Sequence, residues 1–172
     1  TDVFGADIVS NVYENGKGVI TFDDDVTKIG YAAFKGCVSL VSITMPESVT
    51  TVGALAFYGC SSLKSIDIPD SVTSIGYNAF FNTDLLDSQT ADIKYADGWV
   101  IGCNRDVFSV TIEYGTTGIA DNAFQNCENL KTITIGDSVK TIGNYSFYGC
   151  YALTSIYVNS NNLNYRSSDG IL

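Results

Sequence analysis

The side chains available for chemistry in this chain are carboxylates, thiols and hydroxyls, because histidine is absent. Without imidazole there is no Ser-His-Asp or Cys-His arrangement and no His-ligated metal. Dinucleotide fingerprints, phosphate loops and nucleophile elbows are missing too. Asp and Glu number 19 against 9 Lys and Arg. Two carboxylates across a cleft could share acid–base work. Most acidic residues, however, fall at turns: Asp24, Glu47, Asp70 and Asp137 occupy one column of a repeat, and charge rows of that kind usually face water. The densest group is Asp23, Asp24 and Asp25. Carboxylates are hard oxygen ligands for Ca²⁺, so these three are the candidates for a cation site, although their spacing is not that of an EF-hand loop. No cofactor is implied.

Five cysteines make an odd number, which does not suggest a disulfide framework, and no C-x-x-C is present. Cys37, Cys60, Cys127 and Cys150 lie in one repeat column, with Thr83 in the gap. They read as small buried apolar residues with free thiols. Cys103 stands outside that column.

What must position all these groups is the repeat itself. Val26-Thr-Lys-Ile-Gly-Tyr-Ala-Ala-Phe-Lys-Gly-Cys-Val-Ser-Leu-Val-Ser-Ile returns, with changes, from Val49 and from Val139. The phenylalanines Phe34, Phe57, Phe80, Phe124 and Phe147 step by 23, 23, 44 and 23. Leu40, Leu63, Leu86, Leu130 and Leu153 keep the same steps, as do Ile29, Val52, Ile75, Ile119 and Ile142. A fixed period near 23 with an L-x-x-I-x-apolar core lies within the leucine-rich-repeat range. Leu63–Ile68, Leu130–Ile135 and Leu153–Val158 each give an inward Leu, Ile and Ile or Val with outward residues between, as in half-buried strands. The same register extends to Lys17–Phe22 and Val107–Ile112.

The 44-residue step holds a regular coil and an irregular one, at about residues 84–106. The irregular coil contains Tyr95-Ala-Asp-Gly-Trp-Val-Ile-Gly-Cys103, whose Asp-Gly is a tight-turn signal. Tyr165-Arg-Ser-Ser-Asp-Gly-Ile-Leu172 repeats it in part. The chain's ends look like cuts in a longer protein, with residues 1–16 a remnant of a preceding coil.

The pattern V-T-x-I-G-x-x-A-F-x-G-C-x-x-L-x-S-I-x-I-P resembles the BspA-like leucine-rich-repeat family of bacterial and protist surface proteins, from about Lys17 to Leu172. That resemblance implies a secreted or cell-surface location and attachment to host matrix proteins, host cells or other microbes.

The predicted fold is therefore a β-rich, α/β-type leucine-rich-repeat solenoid, one segment over 1–172 of about seven coils. Short parallel strands line one face; short helical turns or loops line the other. One coil cannot bury its apolar face alone, and stacking buries a continuous core. The phenylalanines should form an inward aromatic ladder. Trp99 reads as a buried plug for the irregular coil, the alternative being an exposed aromatic patch with Tyr95, Tyr148, Tyr151 and Tyr157. Outward residues between the strand anchors form the predicted recognition face: Ser42, Thr44, Ser65, Asp67, Ser109, Thr111, Thr132, Thr134, Ser155 and Tyr157, with Val19 and Thr21 extending the rows upstream. Such residues also suit plain solvent-facing strands, and the face is poor in the Trp and Arg anchors of tight interfaces. A uniform solenoid offers no obvious cleft, which argues against an enzyme. The net charge of −10 disfavours nucleic acid, and no apolar run is long enough to span a membrane. The function implied is a non-catalytic module binding a protein or glycan, or a structural spacer displaying other domains. A monomer is expected, with end-to-end association possible only through exposed coil ends.

Overall fold

A computed structural model describes residues 3–15 and 17–168. The chain winds as a β-solenoid. Its elements, in order, are β1 (Ile8–Glu14), β2 (Lys17–Phe22), β3 (Lys28–Ile29), β4 (Thr51–Val52), β5 (Ser74–Ile75), α1 (Asp84–Asp87), β6 (Ile93–Ala96), β7 (Trp99–Cys103), β8 (Ser109–Thr111), β9 (Gly118–Ile119), β10 (Thr132–Ile135), β11 (Thr141–Ile142) and β12 (Ser155–Val158). Each regular coil contributes three hydrogen-bonded edges.

The first edge is the V-T-x-I-G segment. β3, β4 and β5 pair in parallel, with Ile29, Val52 and Ile75 in register. β7, β9 and β11 continue the pattern, with Val100, Ile119 and Ile142 aligned. The second edge is the L-x-x-I-x-I segment. β8, β10 and β12 form a parallel sheet, and Thr44 and Asp67 make a single parallel bridge upstream. Parallel strands thus run along two edges of the coil rather than one.

The third edge is the Ala-Phe-x-Gly-Cys segment. It forms successive tight turns rather than helix, because residues within it adopt left-handed backbone: φ is 55° at Ala32, 59° at Leu55 and 53° at Asn78. Alternate amides close i→i+3 turns, as from Cys60 to Phe57. The others donate to the next coil. Ala32, Phe34 and Gly36 bond the carbonyls of Ala54, Ala56 and Tyr58; Leu55, Phe57 and Gly59 bond those of Tyr77, Ala79 and Phe81. Buried turns need such partners for their backbone polar groups, and between the first three coils both sets of amides have them. The close approach demands glycine at position 53, where a Cβ would meet the backbone of Gly30 at 2.7 Å.

The phenylalanine ladder is inward and stacked. Ring centroids of Phe34, Phe57 and Phe80 follow at 5.5 Å with nearly parallel planes, and Phe124 meets Phe147 at 5.6 Å. Phe57 and Phe124 are fully buried. Cys60 and Cys150 are buried free thiols that donate to the carbonyls of Phe34 and Phe124, each at 3.0 Å. Burial pushes both thiols above their ordinary pKa of 9.0. Cys37, at the first coil, is free but exposed.

Three further expectations are corrected. First, Cys127 is not a free thiol: it forms a disulfide with Cys103. The irregular coil, being shorter, brings Cys103 beside the cysteine column. Second, β2 does not join the parallel row of strands. It pairs antiparallel with β1 in a hairpin, so Val19 and the rest of the Lys17–Phe22 strand sit apart from the recognition rows. Only residues 3–6 act as a preceding coil: the Val3 carbonyl accepts from Gly30, and Phe4 packs against Phe34 at 5.9 Å. Third, a cleft exists, at the irregular coil. The partial repeat of the Asp-Gly turn near residue 170 lies outside the described residues.

Candidate interaction surface and the irregular coil

The irregular coil replaces the Ala-Phe-x-Gly-Cys turn with α1 and a β6–β7 hairpin. Asp97 and Gly98 form the hairpin turn with φ of 39° and 77°, the left-handed pair that a tight two-residue turn needs. Thr83 caps α1 by accepting from the Leu86 amide at 3.2 Å, while its hydroxyl donates to Phe80 at 2.6 Å. Gln89 holds α1 to the hairpin: its amide nitrogen donates to the carbonyls of Leu85 (2.6 Å) and Tyr95 (2.8 Å), and its oxygen accepts from the Tyr95 amide (2.8 Å). Asp97 ties the hairpin tip to the coil before it by accepting from Ile68 at 2.6 Å. The Tyr95 hydroxyl accepts from Glu113 at 3.0 Å, and burial raises its pKa above 10.0. Tyr165 repeats that contact, accepting from Ile142 at 3.0 Å.

Trp99 is buried at 3% exposure and is the plug the sequence suggests. A Cβ at Gly118 would collide with its ring. Trp99 faces the core of the first coils, and Val100, its neighbour on β7, faces the core of the later ones. The alternation of one strand thereby joins two apolar clusters.

The recognition residues lie where strand alternation puts them. Ser109, Thr132 and Ser155 are in register, as are Thr111, Thr134 and Tyr157. Their apolar neighbours Val110, Ile133 and Ile135 are buried, while Tyr157 is 50% exposed. The Ser109 and Thr132 hydroxyls bond each other at 2.6 Å. Ser42, Thr44, Ser65 and Asp67 are exposed as well, but of these only Thr44 and Asp67 are paired. The two groups are separated along the chain by the irregular coil, so the face is two patches rather than one row.

Asp23, Asp24 and Asp25 do not converge. Asp23 accepts from the Asp7 amide at 2.8 Å, and Asp24 from the Asp25 amide at 2.8 Å. Among the described residues no group of three or more His, Cys, Asp or Glu side chains is arranged to hold a metal ion. No helix there is long and apolar enough to cross a membrane.

The cleft beside the irregular coil has a volume of about 440 Å³, within the roughly 300–1,000 Å³ of ordinary ligand sites. One wall is the turn of the third coil, Tyr77–Phe81; the other is the turn at Asp121–Gln125. Leu86, Lys94, Gly102 and Arg105 complete it. Tyr77 and Phe81 are 45% and 41% exposed. The sequence gives no direct sign of this cleft beyond the missing turn motif.

A family model described as "BspA type Leucine rich repeat region" matches residues 8–95 and 102–169 in six copies. A search of curated proteins gives no match. Among solved structures, a leucine-rich-repeat protein of T. pallidum is 28% identical, with TM-score 0.40, over 76% of this chain and 51% of its own. One from Bacteroides ovatus is 28% identical, with TM-score 0.39, over 87% and 45%. A leucine-rich cell surface protein of Faecalibacterium prausnitzii is 24% identical, with TM-score 0.36, over 95% and 49%. The chain spans about half the length of these structures or less.

Proposed function

The chain belongs to the BspA-type leucine-rich-repeat family, and on that premise we propose that it is a non-catalytic, surface-exposed module for adhesion-type binding of a macromolecule. The partner classes are a host matrix or cell-surface protein, or a glycan. The observation that carries this reading is the ordered outward row on β8, β10 and β12, where Thr111, Thr134 and Tyr157 stand in register on a rigid parallel sheet. Side chains fixed on strands lose little entropy on binding, so modest contacts there can add up.

A second reading, a spacer without a ligand of its own, is favoured by one contact. The Ser109 and Thr132 hydroxyls satisfy each other, which leaves less hydrogen-bonding capacity for a partner. A binding screen against matrix proteins and a glycan panel, with and without Ca²⁺, separates the two. Saturable binding lost in the Asp67→Ala, Thr134→Ala, Tyr157→Ala triple variant supports the adhesive face. A folded protein that binds nothing supports the spacer.

A further inference from the structure

The turn edge is a ladder in which each coil donates amides to the next, and it is broken once inside the molecule. On one side of the break, the amides of Asn78, Phe80 and Asn82 occupy the donor positions, and none has an acceptor among the described residues. On the other side, the carbonyls of Asp121, Ala123 and Gln125 occupy the acceptor positions, and none has a donor among the described residues. Beyond the break the ladder resumes: Asn122, Phe124 and Asn126 donate to Asn144, Ser146 and Tyr148. Asn78 and Phe80 of the first row and Asp121, Ala123 and Gln125 of the second line the cleft described above, and Asn82 continues the first row beyond it. At its closed end the walls are clamped together, since the Asp121 amide donates directly to Ile75 at 2.9 Å.

We propose that this cleft binds an extended peptide segment of another protein, which takes the place of the missing turn. A polypeptide repeats one carbonyl and one amide per residue. Laid along the cleft, it offers carbonyls to Asn78, Phe80 and Asn82 on one edge and amides to Asp121, Ala123 and Gln125 on the other. This is strand addition applied to an internal edge, with main-chain bonds giving affinity and side-chain pockets giving selectivity. A glycan offers hydroxyls, but not at the backbone period of these rows.

The side-chain preference follows from the same register. An outward column runs Lys35, Tyr58, Phe81, with Lys35 over the Tyr58 ring at 5.3 Å and Tyr58 stacked on Phe81 at 5.5 Å. The column resumes with Gln125 and Tyr148. A ligand residue at that place lies against the exposed Phe81 ring, and an aromatic side chain continues the stack. Asp87 and Asp121 at the cleft oppose Lys94 and Arg105, so the site has no strong demand on ligand charge.

This inference goes beyond the strand-face reading and does not depend on it. Its test is selection of a displayed library of random short peptides on the intact chain, followed by synthesis of the best binder. The proposal predicts aromatic-containing peptides whose binding slows amide exchange at Asn78, Phe80 and Asn82, read residue by residue by NMR. Phe81→Ala should weaken binding about tenfold, and the Asp67, Thr134 and Tyr157 variant should bind the peptide as before. The proposal is overturned if no peptide is selected, if the protected amides lie elsewhere, or if a glycan from the panel, and no peptide, protects these three. The exchange readout needs no substitution, so it decides the matter even if Phe81→Ala does not fold.

Discussion

The regular coils and the irregular coil solve the same problem by different means. In the regular coils, a Phe per turn fills the core, joined by the buried Cys60, Cys127 and Cys150, and the turn amides pair from coil to coil. Each solution is copied, so stability accumulates through neighbour contacts. At residues 84–106 the copy is absent. There a single tryptophan fills the space, a glutamine side chain bridges the backbone, and a disulfide spans to the next turn. Repetition gives a closed hydrogen-bond ladder. The local substitute closes the core but leaves the ladder open at the surface.

The largest expected effect lies in the regular ladder. Phe57→Ala or Phe124→Ala should cost about 3–5 kcal/mol, the usual range for truncating a fully buried Phe; chemical denaturation measures it. If either variant unfolds like the parent, the inward stack is wrong. Against the irregular coil, Gly118→Ala on β9 drives a methyl into the Trp99 ring, and overpacking of this kind costs about 1–3 kcal/mol. A smaller and local loss is expected for Gln89→Ala. It removes three hydrogen bonds that join α1 to the hairpin, so amide exchange should speed at Tyr95 while the Phe57 amide keeps its protection.

A pH dependence follows from the thiols. Burial raises the folded-state pKa of Cys60 and Cys150. An unfolded thiol then releases its proton at lower pH than the folded one, so the stability these groups contribute is present below about pH 9 and is lost as pH climbs above it. Replacing both with Ala should flatten that decline in a series of melts from pH 7 to pH 10. The smallest effect belongs to the recognition face: Thr134→Ala should change stability by about 0.5 kcal/mol or less, as surface substitutions do.

Much of the fold is legible in the sequence because it is written many times. Five phenylalanines at fixed spacing fix the inward face, and Asp97-Gly98 announces a turn with the backbone the structure shows. What fails to read is whatever occurs once. The β1–β2 hairpin is missed because extending the repeat register over Lys17–Phe22 overrides the Asn-Gly pair at 15–16, a strong hairpin signal in its own right. The Cys103–Cys127 pairing is hidden because the irregular coil is shorter, which shifts Cys103 off the expected column. The contacts of Gln89 and Asp97 depend on how the hairpin docks, which no local pattern specifies. The cleft is a consequence of a motif's absence: the sequence shows that the turn is missing, while the unpaired amides that result appear only in three dimensions.

The most direct test of the broken ladder is amide hydrogen exchange on the unliganded chain, resolved by residue. Leu55, Phe57 and Gly59 should be strongly protected, because each donates to the next coil. Asn78, Phe80 and Asn82, at the same repeat positions one coil later, should exchange far faster. Equal protection of the two sets would contradict the account, since it would mean that the ladder continues unbroken through the irregular coil.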